Sequence, residues 1–206
     1  MIFDLSQDEG IYIVRLARQA IETFLRSHKL LDPKDSPEKL RTPCGVFTTL
    51  NKVTTYGKNL RGCIGFPYPF QPLSQVVVTS AVKAAVEDPR FPPLSITELE
   101  EIIIEVSVLT PPEPIRKKTV RDYVENIQIG VHGLIVERGA RSGLLLPQVP
   151  VEWGWDVEEF LTQCSIKALL PPDSWLMDDT KIFRFQAIIF EEKEPMGFVI
   201  RRVLSS

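Results

Sequence analysis

Hydrophobic residues in the first part of the chain recur at helical spacing. Steps of one, three or four residues separate the members of one apolar face, which are Ile13, Leu16, Ala17, Ala20 and Phe24. Ser6 and Glu9 precede them with the spacing of a capping box, in which a hydroxyl and a carboxylate satisfy backbone N–H groups of the first turn. The pattern predicts a helix from about Gln7 to Ser27.

Two strands and a second helix are predicted next. The segments 45–51 and 60–66 are rich in β-forming residues. Pro72 suits the first turn of a helix because it lacks an N–H group that would be left without a partner there. The apolar positions after Pro72 recur at helical spacing until Pro89 ends the helix.

Later segments alternate with the period of a β-strand. Residues 102–109 predict a strand with one apolar face, and 183–189 predict a long final strand. The segments 134–137 and 143–146 flank a turn with glycine and predict a hairpin. A second capping box, Asp156–Glu159, opens a further predicted helix.

The grouping of strands into local runs favours an α+β fold over a doubly wound one. We expect a larger, mostly antiparallel sheet flanked by helices, formed by residues 1–118 with 178–206. Prolines at 111–114 and the loop at 171–179 bracket a smaller hairpin-and-helix domain, for which we expect the bounds 119–177.

Composition excludes several classes of protein. Of 206 residues, 44% are hydrophobic and 25% are charged, with a net charge of −3, which is unlike a disordered chain. The acidic balance argues against a general nucleic-acid binder and against docking on an anionic membrane. Lys83 and Glu105 interrupt the longest apolar runs, and the first residues do not have the pattern of a signal peptide. We expect a soluble, cytoplasmic protein.

Cysteine and histidine are too scattered for a disulfide scaffold or a structural zinc site. The three cysteines, Cys44, Cys63 and Cys164, include no CxxC pair, and the chain has two histidines. Cys164 falls on the apolar face of its predicted helix, which predicts a packing role. Cys44 stands in a turn, where no role is indicated.

The segment Leu60–Phe66 carries the clearest candidate chemistry. In a regular strand Arg61 and Cys63 share one face, beside Gly65, and the other face buries Leu60, Ile64 and Phe66. Gly62 and Gly65 leave bare backbone where another group can approach. A neighbouring guanidinium, or the helix that follows, would stabilise a thiolate. This predicts a reactive thiol or an anion pocket, the alternative being a packed cysteine with glycines that mark only a bulge.

His132, at the entry to the predicted hairpin, is a candidate general base, although a lone histidine in a turn is usually only solvated. Arg90 and Phe91 lie in a segment, 88–93, that three prolines stiffen, which lowers the entropic cost of presenting them to a ligand. The alternative is that Phe91 fills the core and Arg90 pairs with Asp88.

The segment 147–155 is predicted as a loop and contains two of the three tryptophans. Gln148, Glu152 and Trp153 are candidates for a pocket wall or a partner surface. Alternatively, Trp153 and Trp155 pack the smaller domain against the larger one.

These segments together resemble the AMMECR family. The match rests on Leu60-Arg-Gly-Cys-Ile-Gly65, the hallmark of that family, and extends in order through 88–93, 105–112, 133–136 and 143–156. The resemblance implies a two-part α+β protein with the hallmark near a cleft between the parts. It implies neither an established reaction nor a particular cofactor. Bacterial relatives are fused to, or encoded beside, Memo-type and radical-SAM proteins, which are therefore candidate partners.

Two hypotheses follow. In the first, the protein is an enzyme that modifies small molecules or proteins, and its active site lies in the cleft. Cys63 is then the thiolate, Arg61 its electrostatic partner and His132 the base. In the second, the protein is a non-catalytic binding or adaptor module for a small anionic ligand or a protein partner. Candidate ligand contacts in either case are Gly62, Gly65, Arg90, Phe91, Gln148, Glu152 and Trp153.

Overall fold

Antiparallel sheets and packed helices give the chain the predicted α+β class. The structure, a computed structural model, describes residues 4–116, 119 and 121–204. Its contacts divide the chain into two units, residues 1–111 with 188–202 (unit 1) and 112–187 with 203–206 (unit 2). The domain bounds expected from the sequence stay a prediction, and residue 118 at their border lies outside the described residues.

Unit 1 consists of two long helices on one face of an antiparallel sheet. Its elements are α1 (Gln7–Ser27), β1 (Gly45–Thr54), β2 (Gly57–Phe66), α2 (Leu73–Val86), β3 (Ile102–Leu109), the end of β7 (Lys181–Glu192) and β8 (Val199–Arg202), with 3-10 helices at Glu38–Arg41 and Glu98–Glu101. The strand order is β2-β1-β3-β7, and β8 pairs with β7. Because β2 stands first in this order, it is an edge strand.

Local sequence accounts for α1 as predicted. The Ser6 hydroxyl accepts the Glu9 N–H at 3.2 Å, and the Glu9 carboxylate accepts the Ser6 N–H at 2.7 Å. Residues of α1 and α2 pack with the even-numbered residues of β3, such as Ile104 and Val106, in one apolar core. This burial is the main stabilising contribution within unit 1.

Unit 2 is a small sheet with short helices. Its elements are β4 (Glu113–Pro114), α3 (Arg121–Asn126), β5 (His132–Arg138), β6 (Arg141–Leu145), α4 (Gln148–Trp153), α5 (Val157–Lys167), a 3-10 helix (Ser174–Leu176) and residues 181–187 of β7. Strand β7 pairs with β4 and β5, and β5 forms the predicted hairpin with β6. Phe160 and Cys164 of α5 pack on Leu134 and Val136 in a second core.

Three local predictions need correction. All of β3 is buried, including Glu105 and Ser107, whereas the sequence predicted one apolar face. Residues 148–153 form α4 rather than a loop. At α5, Asp156 accepts the Glu159 N–H at 2.8 Å, but the Glu159 carboxylate accepts from Gln163 within the helix, so only half of the capping box forms.

None of the helices in the described ranges is long and apolar enough to span a bilayer.

Candidate functional site

Strand β2 contains a β-bulge where the sequence predicted a regular strand. Leu50 of β1 pairs with Gly62, but the next residue, Asn51, pairs with Leu60, so that Arg61 is an extra residue. An extra residue breaks the alternation of side chains between the two faces of a strand. The bulge therefore decides where the candidate side chains of this segment point.

Leu60 lies on the other face from the one predicted. Ile64 and Phe66 pack against the helix-covered core, whereas Leu60 shares the opposite face with Cys63 and is 42% exposed. The prediction that these three apolar residues are buried together is wrong for Leu60, because the pairing shifts by one residue at Arg61.

Arg61 does not lie beside the thiol. Its Nε and Nη2 donate to the two carboxylate oxygens of Glu98 at 2.7 and 3.0 Å, and only 9% of the residue is exposed. This bond to Arg61 lowers the pKa of Glu98 below its ordinary value. The predicted partnership of Arg61 with Cys63 is therefore wrong, since the bulge directs the guanidinium to Glu98.

The two glycines of the hallmark admit close packing by the protein itself. A Cβ at Gly62 would overlap the Ala84 carbonyl oxygen of α2, and one at Gly65 would overlap the Phe47 ring. Helix α2 can approach the strand only because Gly62 lacks a side chain. Contact of these glycines with a ligand stays a prediction.

The main chain of Cys63, on the open edge of β2, is held by Asp88. The Cys63 N–H donates to Asp88 Oδ2 at 2.8 Å, and Arg90 donates to the same carboxylate from Nε and Nη2 at 2.9 and 2.6 Å. These bonds, that of Arg90 first, lower the pKa of Asp88 to about 2. The alternative that Arg90 pairs with Asp88 is confirmed, and the pair covers an edge that would otherwise be open to another strand.

Phe91 is partly buried and lies beside two guanidinium groups. The Cζ atoms of Arg61 and Arg90 are 5.7 and 5.4 Å from the centre of its ring. At such distances a cation is attracted to the π-electrons of the ring. Phe91 therefore helps to hold both arginines, and its contact with a ligand stays a prediction.

The Cys63 thiol has a raised pKa rather than a lowered one. Burial is the largest cause, and two weaker effects oppose it, a hydrogen bond from Thr49 and the positive charge of Arg90. Thr49 Oγ1 donates to Cys63 Sγ at 3.3 Å. At neutral pH the thiol is therefore protonated, contrary to the stabilised thiolate expected from Arg61.

Thr49 stands in the middle of a row of polar side chains that crosses three strands. It pairs directly with Cys63 of β2 on one side and with Glu105 of β3 on the other. Directly paired residues point to the same face of a sheet. Glu105 is only 3% exposed and accepts a hydrogen bond from Arg202 Nη1 of β8 at 2.9 Å.

A second ion pair lies on the same face of the sheet, where Lys58 pairs with Val53, four positions along β1 from Thr49. Lys58 Nζ of β2 lies 2.9 Å from Glu191 Oε2 of β7. Strands β2 and β7 are first and fourth in the sheet order, so the sheet must curl to bring them together. The polar residues thus lie on its concave side. We define the concave face by six residues, Thr49, Lys58, Cys63, Glu105, Glu191 and Arg202.

Apart from Cys63, sequence reasoning missed every residue of the concave face. One signal was available, since Glu105 is a carboxylate within the run Ile102–Leu109 of otherwise mostly apolar residues. Buried carboxylates are rare unless they are paired. The partner, Arg202, is 97 positions away, so only strand pairing reveals it.

His132 begins β5 in unit 2. Its Nδ1 accepts the Gln128 N–H at 3.0 Å, and burial, followed by the charge of Arg184, lowers its pKa. The ring is therefore mostly neutral at neutral pH, as a general base requires. Its proposed role as base for Cys63 stays a prediction.

The remaining candidates lie on α4. Gln148 is 5% exposed, whereas Trp153 is 70% exposed and stacks on Trp155 with ring centres 6.0 Å apart. Glu152 is also exposed. A role for these side chains in a pocket wall or a partner surface stays a prediction.

Within the described residues, no three side chains of His, Cys, Asp or Glu are grouped as a metal site would require.

Comparisons with known proteins place the chain among archaeal relatives. It is 52% identical over 205 residues to a protein of Thermococcus gammatolerans, covering 98% of this chain and 100% of the relative. It is 52% identical over 202 residues to the protein MK0488 of Methanopyrus kandleri, covering 98% of this chain and 97% of the relative. These relatives carry no functional name.

A solved structure is closely similar. The crystal structure of the uncharacterized protein PH0010 from Pyrococcus horikoshii superposes with a TM-score of 0.94 at 50% identity, covering 98% of this chain and 100% of that one. A sequence model of the AMMECR1 family matches residues 14–190. The chain belongs to the AMMECR1 family.

Proposed function

We propose that this AMMECR1-family protein is a ligand-binding module whose ligand occupies the concave face. The observation that carries the proposal is the condition of Cys63. Its pKa is raised by burial, and the guanidinium expected to activate it is engaged by Glu98. Because the thiolate is the nucleophile, a thiol that stays protonated at neutral pH is better suited to line a site than to attack a substrate.

The buried charges of the concave face support a binding role. Glu105 and Arg202 form an ion pair whose carboxylate side chain is 3% exposed. Such a pair costs desolvation energy and often stabilises a protein less than apolar residues of the same size would. Its presence on a concave face is explained by recognition of a ligand, for which prearranged polar groups are needed.

A defined panel of small molecules tests this proposal. Citrate, inorganic phosphate, glutamate, spermidine and adenosine are added separately, and the shift of the melting temperature is measured. Because Glu105→Gln changes the charge of the site, this variant should markedly change the shift that any of these compounds causes in the wild type. The control Glu101→Gln, at an exposed carboxylate paired with Lys52, should keep it. A compound that stabilises Glu105→Gln as well as the wild type would contradict the proposed site.

One observation favours a second candidate function, thiol chemistry. Thr49 donates a hydrogen bond to Cys63 Sγ, and such a bond stabilises a thiolate once it has formed. An enzyme of this kind would form a covalent bond from Cys63 to its substrate. Intact-mass analysis after incubation with the same panel distinguishes the two functions. An adduct that is absent in Cys63→Ala supports catalysis, and binding without any mass increase supports the module.

The candidate partners also remain part of the proposal. Bacterial relatives of the family are fused to, or encoded beside, Memo-type and radical-SAM proteins. This suggests that the module acts with such proteins, although the association does not define a mechanism. Size-exclusion chromatography tests whether this protein forms a complex with a separately purified Memo-type or radical-SAM protein. Each protein is run alone and then in a mixture of the two.

A further inference from the structure

The concave face is formally neutral, but its exposed ends are cationic. It contains two acids and two bases, arranged as the pairs Lys58–Glu191 and Arg202–Glu105. The cationic side chains are 40% and 28% exposed, whereas the carboxylate side chains are 10% and 3% exposed. In both pairs, therefore, the positive end is the one that solvent reaches.

This arrangement determines what an approaching solute meets first. The carboxylates hold the two cations in place from behind, so that little side-chain entropy is lost when a ligand binds. An ammonium group has three donors, and the bond to Glu191 uses one of those of Lys58. Charge-assisted hydrogen bonds to carboxylate or phosphate oxygens are among the strongest that such groups form.

The arginines of the neighbouring segment are less well suited to an anion. Arg61 and Arg90 each give two guanidinium nitrogens to one internal carboxylate, that of Glu98 and that of Asp88. Asp88 and Arg90 bond to the main chain of Cys63 at the edge of β2 rather than on the face that Thr49 shares.

We propose that the concave face binds a small oxyanion, a carboxylate or a phosphate, through Lys58 and Arg202. This inference rests on the proposed function and specifies its ligand class. The Cys63 thiol, which shares this face, provides a chemical reporter at the site.

Two alkylating reagents of similar size but different charge test the inference. Iodoacetate is an anion, and iodoacetamide is neutral, so the ratio of their rates at Cys63 reports the local attraction for anions, while effects on the thiol itself cancel. Peptide mass spectrometry measures both rates at pH 9, in the folded protein and in urea. We expect the ratio to be about twofold higher in the folded protein, which is less than the roughly fivefold effect of one unpaired unit charge at ~4 Å in water, because a carboxylate offsets each cation.

Matched variants identify the source of the effect. Lys58→Met and Arg202→Gln should each lower the ratio towards the value in urea. Arg202→Lys, which keeps the positive charge, should retain the ratio of the wild type. The control is Lys52→Met, because Lys52 is also 40% exposed and ion-paired but bonds to Glu101 outside the concave face. This control should leave the ratio unchanged.

A ratio no higher than that in urea overturns the inference, and so does a Cys63 that neither reagent reaches in the folded protein. Because the charge of Arg90 also acts on Cys63, a raised ratio that Lys58→Met and Arg202→Gln leave unchanged overturns it as well. Protection of Cys63 by inorganic phosphate or by acetate, each against chloride of equal ionic strength, distinguishes phosphate from carboxylate recognition. If spermidine protects Cys63 and neither anion does, the binding module stands and its ligand class is wrong. If covalent adducts form with panel compounds, the binding module itself fails.

Discussion

Cys63 and Cys164 lie in different units, and burial raises the pKa of both thiols. Their hydrogen-bond partners differ, because main-chain groups surround the Cys164 sulfur, whereas a side-chain hydroxyl contacts that of Cys63. The fully buried Cys164, with its pKa raised to about 12, lies within 3.5 Å of the Leu134 carbonyl and 3.4 Å of the Gly143 carbonyl, to which its S–H donates. The partly exposed Cys63 instead accepts a hydrogen bond from Thr49.

The comparison separates a packing cysteine from one that lines a polar surface. Cys164 lies among apolar residues of the unit 2 core, such as Phe160 and Leu161, which confirms the packing role predicted for it. Cys63 lies near Glu105 and Asp88, whose charges affect its pKa. A perturbed thiol alone therefore does not indicate a functional site, whereas a perturbed thiol among buried, paired charges is a candidate for one.

The largest expected effect concerns the glycine beside each cysteine. A Cβ at Gly62 would overlap the Ala84 carbonyl oxygen, and one at Gly143 would overlap the Ala168 backbone. Because backbone atoms must move in both cases, Gly62→Ala and Gly143→Ala should each lower the free energy of unfolding by about 3 kcal/mol. Urea-induced unfolding measures the loss. A loss below about 0.5 kcal/mol, as at an ordinary surface position, would contradict this close packing.

The free energy of unfolding should depend on pH through Asp88, which binds the main chain of Cys63. Because the folded-state pKa of Asp88 is lowered to about 2, its contribution is present above the unfolded-state pKa of about 4 and is lost as pH falls from about 5 to 2. The loss should be about 2 kcal/mol, from the value of one pKa unit. Urea-induced unfolding between pH 6 and pH 2 measures it.

The matched variants for this prediction are Asp88→Asn and, at an exposed carboxylate, Asp35→Asn. Asp88→Asn should be less stable at pH 6 and lose this part of the pH dependence, whereas Asp35→Asn should follow the wild type. If Asp88→Asn keeps the full acid dependence of stability, the Asp88 carboxylate that binds the Cys63 main chain is not its source.

The smallest expected effect is that of removing each sulfur. Cys164→Ala leaves a small cavity in the unit 2 core and should cost about 1 kcal/mol, while Cys63→Ala should cost about half of that or less because its surroundings are partly open to water. Unfolding in urea compares the two variants. Equal losses would mean that Cys63 is as much a core residue as Cys164.

The sequence predicts elements that depend on local chemistry. Helix α1 has the bounds that its capping box and apolar spacing predicted, and the β5–β6 hairpin forms around its glycine turn. Both rest on residues only a few positions apart, whose interactions do not need the rest of the fold.

The candidate site was less predictable because it depends on pairing between distant segments. The bulge at Arg61 exists only in the register of β2 against β1, and it redirects both Leu60 and Arg61. Glu105 and Arg202 are brought together by pairing among β3, β7 and β8. A strand pattern gives the faces of a regular strand but neither its irregularities nor its partners.

The most direct test of the account is the pH dependence of the iodoacetamide reaction at Cys63 in the native protein, followed by peptide mass spectrometry with Cys164 as an unreactive reference. The account predicts that Cys63 reacts faster than Cys164 but reaches half of its maximal rate only above the free-cysteine pKa of ~8.5. A rate at Cys63 that is already maximal at neutral pH would contradict the protonated thiol and, with it, the binding module.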